Sequence, residues 1–242
     1  MLRAFDAGHP VLDVRSIAER AGLPLSTTYR LLAQWQEAGL IERSGEGRFR
    51  LGLGLWEIGS RVSGAESLAS SALPFLEDVN QVVRHSVQLS ILDGAEVLIL
   101  ERLARPGHAA NPAGRASRLP VHRSSAGLVL LAYADPGVMR AYEERKGRRA
   151  AELHPDLPGL LAEVRRQGFA ILDGLIDVGT TGISVPVLDA RQRAVAALSV
   201  VVPAGYPAES AVMSLRTASR GLARSLARDV GERRGPGPDS IE

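Results

Sequence analysis

Ser26, Thr27, Arg30 and Gln34 are spaced i, i+1, i+4 and i+8, so a helix stacks them along one side. Short hydroxyls bond phosphates or base edges in a major groove, and Arg and Gln can pair with purine edges. A plain solvated helix face has the same composition, so the pattern gains meaning only from its surroundings. A second basic set, Arg43, Arg48 and Arg50, flanks the turn Gly45-Glu46-Gly47, a placement that lets guanidinium groups straddle phosphates. A third set offers different chemistry: His122, Ser124 and Ser125, with Asp173 or Asp177, are the residue types of a serine hydrolase. No G-x-S-x-G elbow, H-E-x-x-H or P-loop string accompanies them, and Gly52-Leu53-Gly54 lacks the third glycine of a nucleotide fingerprint. The chain is therefore read as a non-enzyme with no catalytic residue. His9, His85, His108, His122 and His154 show no metal spacing and cysteine is absent, so neither a metal nor a cofactor is expected.

Composition sets the frame for these candidates. The 242 residues suit one small and one medium domain, and 45% apolar with 23% charged residues is ordinary for a chain that buries a core. No apolar run spans a bilayer, and Arg3, Asp6 and His9 stand where a signal peptide would be apolar, so a cytoplasmic protein without a membrane partner is expected. The net charge of +2 is too small to argue for nucleic acid by itself. Lys146 is the sole lysine, so phosphate contacts fall to Arg.

The elements that would hold the first two sets follow from capping and periodicity. Asp13 can cap a helix whose face is Val14, Ile17, Ala18 and Ala21, and Gly22 suits its left-handed stop. Pro24 then opens a second helix at its first position, with Thr28, Leu31, Leu32, Trp35 and Ala38 inward and Gly39 ending it. Tyr29 joins Ser26, Thr27, Arg30 and Gln34 as a DNA-facing residue. Leu40 to Leu51 alternates on both sides of the glycine turn, which predicts a β-hairpin with Phe49 and Leu51 inward and Arg48 and Arg50 outward. Helix, turn, helix and basic wing, in that order, form a winged helix-turn-helix that reads double-stranded DNA.

The strings Ile17-Ala18-Glu19-Arg20-Ala21-Gly22-Leu23-Pro24, Ser26-Thr27-Thr28-Tyr29-Arg30-Leu31-Leu32, Gly39-Leu40-Ile41-Glu42 and Arg48-Phe49-Arg50-Leu51-Gly52 resemble the IclR family of bacterial regulators. The resemblance covers nearly the whole chain. Two departures stand out: Leu25 occupies a position that is commonly basic in the family, and the first helix lacks a turn or two before Leu2, which suggests a late start.

Beyond the wing, Leu55, Ile58, Val62 and Leu68 give an approximate helical period, read as a linker helix over 54–72 that packs on a twin or within its own chain. Helix then continues over 73–84, and a hairpin follows in which 87–92 and 97–100 flank Asp93-Gly94. Strands at 170–173, 183–188 and 195–202 interleave with helices near 124–133, 139–146, 157–167 and 208–230. Residues 107–118, rich in Gly, Ala and Pro, read as a flap or a plain surface loop. Arg216, Arg220, Arg224 and Arg228 line one face of the last helix, basic contact or solvated surface alike. The resemblance implies a GAF-like effector-binding and oligomerisation domain over 73–232, and 233–242 reads as a disordered tail. The fold class is thus α+β, with the winged unit at 1–53 first.

Ser124, Ser125 and Ala126 would present hydroxyls and N–H groups at a helix N-terminus, suited to a ligand oxygen or to simple capping. The resemblance adds Leu119, Leu172, Thr180, Gly182, Ser199 and Val201 as effector-binding positions. It also implies that Leu172, Gly174 and Leu175 replace acidic residues, Gly182 a cysteine and Val201 a serine, which gives a pocket for a ligand less polar than a short-chain acid. Core filling by the same side chains is the alternative. The expected whole is a regulator, read first as a repressor, that binds a palindromic operator as a homo-oligomer, dimer or tetramer, and answers to a small-molecule effector. A degenerate pocket under the control of partner proteins is the rival reading.

Overall fold

The computed structural model describes residues 1–6, 8–61, 63–104 and 114–233. His108, the 107–113 part of the expected flap, Val62 of the linker period and the tail beyond 233 lie outside these residues. The chain divides into two compact units, Met1–Glu66 and Ser67–Glu242. That boundary differs from the three-way division read from the sequence.

In the first unit, helix α1 (Val14–Ala21) starts where Asp13 accepts a hydrogen bond from the Ser16 N–H at 2.9 Å, and it stops at Gly22, whose φ of 64° is left-handed. Helix α2 (Leu25–Glu37) follows, with Pro24 one residue earlier than expected, as its N-cap. Thr28 and Leu32 are its buried residues, whereas Leu31 and Trp35 are half-buried and Ala38 is exposed. Strands β2 (Ile41–Arg43) and β3 (Arg48–Leu51) form the wing, and a strand the sequence did not announce, β1 (Val11–Asp13), completes a three-stranded sheet of order β1-β3-β2. Leu12 lies opposite Phe49 across this sheet, and both join Ile17, Leu32 and Ile41 in the core. Leu51 corrects the alternation: as the last residue of its strand it is 43% exposed.

Gly52 and Gly54 have a steric purpose. A Cβ on Gly52 would sit 2.3 Å from the Gly39 carbonyl oxygen, and one on Gly54 would sit 2.8 Å from it. The Gly54 N–H donates to that same oxygen at 3.1 Å, so the wing's exit is fastened to the end of α2. The expected linker helix is two helices, α3 (Leu53–Gly59) and α4 (Ser63–Val83), and α4 runs through Pro74 without ending. Burial of Leu76, Val79 and Val83 against the sheet outweighs the backbone bond that proline cannot make.

The second unit is built on an antiparallel six-stranded sheet of order β6-β5-β4-β9-β8-β7. Its strands are β4 (Ser86–Asp93), β5 (Glu96–Leu103), β6 (Arg118–Pro120), β7 (Ala170–Asp173), β8 (Thr180–Leu188) and β9 (Ala194–Pro203). Helices α4 and α8 (Ala208–Arg233) cover one face. There Val87, Leu89, Ile183, Val185, Leu198, Val200 and Val202 meet Leu76, Leu215 and Leu222. The other face carries α5 (Ser125–Ala132), α6 (Pro136–Leu153) and α7 (Leu157–Gln167). All eight residues of α5 are buried, so it is the central helix of that layer. The architecture is mixed α+β, with an N-terminal helix-turn-helix and a C-terminal sheet between helices.

Candidate functional sites

In the first unit the opposed faces of α2 separate by chemistry. Thr28 and Leu32 point inward, and Ser26, Tyr29, Arg30 and Gln34 are exposed, with Thr27 half-buried. Beside them the wing's arginines differ. Arg48 is exposed and ion-paired to none of the described residues. Arg50 donates through Nη2 and Nε to Glu42 at 2.8 and 3.0 Å, so half of the expected outward pair is already neutralised. That guanidinium, with the Leu53 N–H, holds the Glu42 carboxyl below its usual range. Arg43 donates through Nε to Gln36 Oε1 at 3.3 Å and its guanidinium carbon lies 5.7 Å over the Phe49 ring, in a residue that remains exposed. A groove of about 520 Å3 opens between α1, α2 and the wing, and Arg15, Tyr29, Gln36, Arg43 and Gly47 are among its lining residues. Arg15 and Gln36 line this groove and were not singled out from the sequence, since only the crossing of the helices brings them beside it.

In the second unit most of the buried polar residues of the central strands gather on one face. Strand alternation sends Ser86, Gln88 and Ser90 of β4, Ser184 of β8 and Ser199 of β9 toward α5, all of them buried. The register sets Ser184 beside Ser199 and Ser199 beside Gln88, while the next row runs Leu172, Gly182, Val201 and Ser86. Ser125 Oγ lies 2.7 Å from Ser184 Oγ, which lies 2.7 Å from Ser199 Oγ, so a chain of hydroxyls crosses from the helix onto the sheet.

The start of α5 is held from below and from the side. A Cβ on Gly127 would sit 2.2 Å from the Val121 carbonyl, so the turn before the helix packs straight onto its backbone. Gly182 has no side chain where Ser125 Oγ sits, since a Cβ there would lie 2.9 Å from it. Ser124 is the N-cap: its Oγ accepts from the Gly127 N–H at 3.1 Å and donates to the Pro120 carbonyl at 3.1 Å. With the Ser124 hydroxyl donating to Pro120 and the Ser125 hydroxyl linked to Ser184, the N–H groups of Ser125 and Ala126 are further donors at the helix end.

Leu119, Ser124, Ser125, Ala126, Leu172, Thr180, Gly182, Ser199 and Val201, the nine expected effector positions, all line one cavity there, together with Gln88, Arg123 and the 174–176 loop. Its volume is about 40 Å3, room for only a few waters, whereas an apolar cavity of roughly 150 Å3 takes a benzene ring. Arg123 closes one side by donating to the Leu175 carbonyl at 3.0 and 2.6 Å.

The hydrolase set is not assembled. His122 Nδ1 lies 3.0 Å from the Tyr142 hydroxyl, and His154 Nε2 donates to the His122 carbonyl at 2.8 Å. Burial, helped by His154, Arg123, Lys146 and Arg149, pushes the His122 imidazole below its ordinary value, and burial pushes the Tyr142 phenol up to about 12. Asp173 accepts from Thr181 Oγ1 at 2.5 Å. His122, Tyr142 and His154 brace the turn that leads into α5, whereas Asp173 and Thr181 link β7 to β8. On α8, Arg216 stacks 5.4 Å from the Phe169 ring, which removes it from the arginine stripe, while Arg220, Arg224 and Arg228 remain exposed. Among the described residues no group of three potential ligands could hold a metal and no helix is long and apolar enough to cross a membrane.

Family models match in two parts: the IclR helix-turn-helix domain over residues 1–45 and the C-terminal domain of the bacterial transcriptional regulator IclR over residues 61–228. The chain is 30% identical to the HTH-type transcriptional regulator XynR of Escherichia coli over 83% of its own length and 82% of the relative's. It is 27% identical to the Pca regulon regulatory protein of Pseudomonas putida, over 93% and 81% of the two chains. An IclR homologue from Microbacterium hydrocarbonoxydans, solved in complex with 4-hydroxybenzoate, superposes with a TM-score of 0.84 at 38% identity, covering 94% of this chain and 96% of that one.

Proposed function

The chain belongs to the IclR family of bacterial transcriptional regulators, and from that premise we propose that it is an effector-responsive repressor binding a palindromic operator as a homodimer. The N-terminal 1–53 unit inserts the exposed face of α2 into the major groove. Ser26, Thr27, Tyr29, Arg30 and Gln34 meet bases and phosphates, and Arg43 and Arg48 hold the backbone from the wing. Arg50 contributes little, because Glu42 already takes its charge. Two copies are needed because a single recognition helix reads only one half-site.

The observation that carries the effector reading is the convergence of nine positions on one cavity that also bears a helix N-terminus. The walls are apolar at Leu119, Leu172, Leu175, Ile176 and Val201, and the polar groups sit at defined points, which suits an aromatic acid with its carboxylate at the α5 end. The similar Microbacterium protein, complexed with 4-hydroxybenzoate, supports that class. An aromatic ring needs more than 40 Å3, so entry displaces the 174–176 loop from Arg123. A coupling of about 1–3 kcal/mol between this site and DNA suffices for regulation. The small cavity favours one rival, a pocket that takes no ligand, with control by a partner protein.

Titration of the operator upstream of the chain's own gene tests the DNA assignment. Arg30→Ala is expected to weaken specific binding by about 1–3 kcal/mol, whereas Arg48→Ala lowers affinity evenly across sequences and reduces the salt slope by about 1. Unchanged affinity in both variants overturns the assignment. A melting panel of benzoates and short-chain acids separates the two effector readings, since the rival requires no shift with any of them.

A further inference from the structure

Gln88 lies among the serines of the pocket face. It is 3% exposed, it lines the cavity, and its Nε2 is buried without a hydrogen-bond partner. A buried amide left unpaired costs free energy comparable to the loss of a hydrogen bond, so such a group calls for an explanation. Core filling does not supply one, because a leucine of similar volume would pack there without the penalty.

Position supplies the explanation. Gln88 is opposite Ser199 on β9, and Ser199 is opposite Ser184 on β8, whose hydroxyl meets Ser125 at the head of α5. At about 4.8 Å per strand, Gln88 is two strands, or about 10 Å, from the strand whose Ser184 meets the head of α5. The cavity therefore has donors at two sides: the Ser125 and Ala126 N–H groups at the helix end, and the Gln88 amide across the sheet.

We propose that Gln88 donates a hydrogen bond to a second, acceptor oxygen of the effector, at the side of the cavity opposite the helix end, and so selects ligands bearing oxygen at both ends. The proposal rests on the reading of this cavity as the effector site. It names the ligand class more closely: an aromatic acid with a hydroxyl or carbonyl oxygen remote from its carboxylate. Gln88 was not among the positions drawn from the sequence, because a single glutamine in an alternating strand has no signal until its neighbours across the sheet are known.

Calorimetric titration of the full-length protein with benzoate and with 4-hydroxybenzoate tests this, using the wild type, Gln88→Leu and Gln88→Met. The wild type is expected to prefer 4-hydroxybenzoate about tenfold or more, the worth of one good hydrogen bond. Both variants are expected to lose that preference while holding benzoate within about threefold of wild type, and to melt a few degrees higher without ligand, roughly as the removal of one unpaired group predicts. The methionine variant keeps the side chain's length should leucine disturb packing. Preference retained in a folded variant, or equal binding of both acids by the wild type, overturns the role of Gln88 and leaves the effector site standing. Uptake of neither acid by the wild type overturns the aromatic-acid reading and this proposal together.

Discussion

The two faces of the six-stranded sheet are cut from the same strands and have opposite purposes. Along β9, Ala196, Leu198, Val200 and Val202 enter a continuous apolar layer under α4 and α8, while Ala197, Ser199 and Val201 between them face α5. Strands β4 and β8 repeat the division, with Val87 and Leu89 against Ser86, Gln88 and Ser90, and Ile183, Val185 and Val187 against Gly182 and Ser184. One face maximises buried apolar area and holds the unit together; the other gives up part of that stabilisation to keep hydroxyls, an amide and a small space under a helix end. A period of two is enough to place both within one strand.

The largest test of this contrast lies on the apolar face. Leu198→Ala is expected to cost about 2–5 kcal/mol in chemical denaturation, because Leu198 is fully buried and its loss leaves a void between sheet and helices. A cost below 1 kcal/mol there would erase the distinction between the faces. On the opposite face Ser184→Ala removes the middle of the hydroxyl chain. It is expected to cost about 1 kcal/mol, with a larger relative loss in effector response than in stability. A stability loss matching that of Leu198→Ala would mean that the serines are structural only.

The smallest expected effect concerns pH. The folded state holds the His122 imidazole below its ordinary value of 6.5, chiefly by burial. The unfolded chain therefore binds more protons just below that pH, and the stability His122 contributes is present above 6.5 and lost as pH falls through the folded value. Thermal melts from about pH 7.5 to about pH 5.5 should show a steeper decline for wild type than for His122→Gln, while His154 keeps its bond to the residue's carbonyl. Parallel declines would assign the pH response to other groups.

Much of the first unit was legible because its signals are local. Asp13, Gly22 and the Gly45-Glu46-Gly47 turn act within a few residues, and the elements fell where capping and alternation put them. Strand β1 escaped because three residues with one buried side chain carry no pattern of their own; pairing with β3 makes them a strand. The attachment of Arg50 to Glu42 depends on register across β2 and β3, and alternation alone left that arginine free. Helix was read on both sides of Pro74, and the apolar face of α4 does carry the helix through that proline. In the second unit the nine cavity positions, with Gly174 and Leu175, were available through family resemblance, whereas Gln88, Arg123 and Ile176 required the fold.

The Ser125, Ser184 and Ser199 hydroxyls also have a property that their oxygen positions do not display. Three O–H groups make two links, so one proton is left over, and it emerges at whichever end of the row meets an acceptor. The row can run in either direction, because either oxygen of each pair can donate. A ligand oxygen arriving at Ser199 draws all three dipoles one way, and one arriving at Ser125 draws them the other. Acceptors at opposite ends of the row would thus set opposite directions for the hydroxyl in the middle of the sheet.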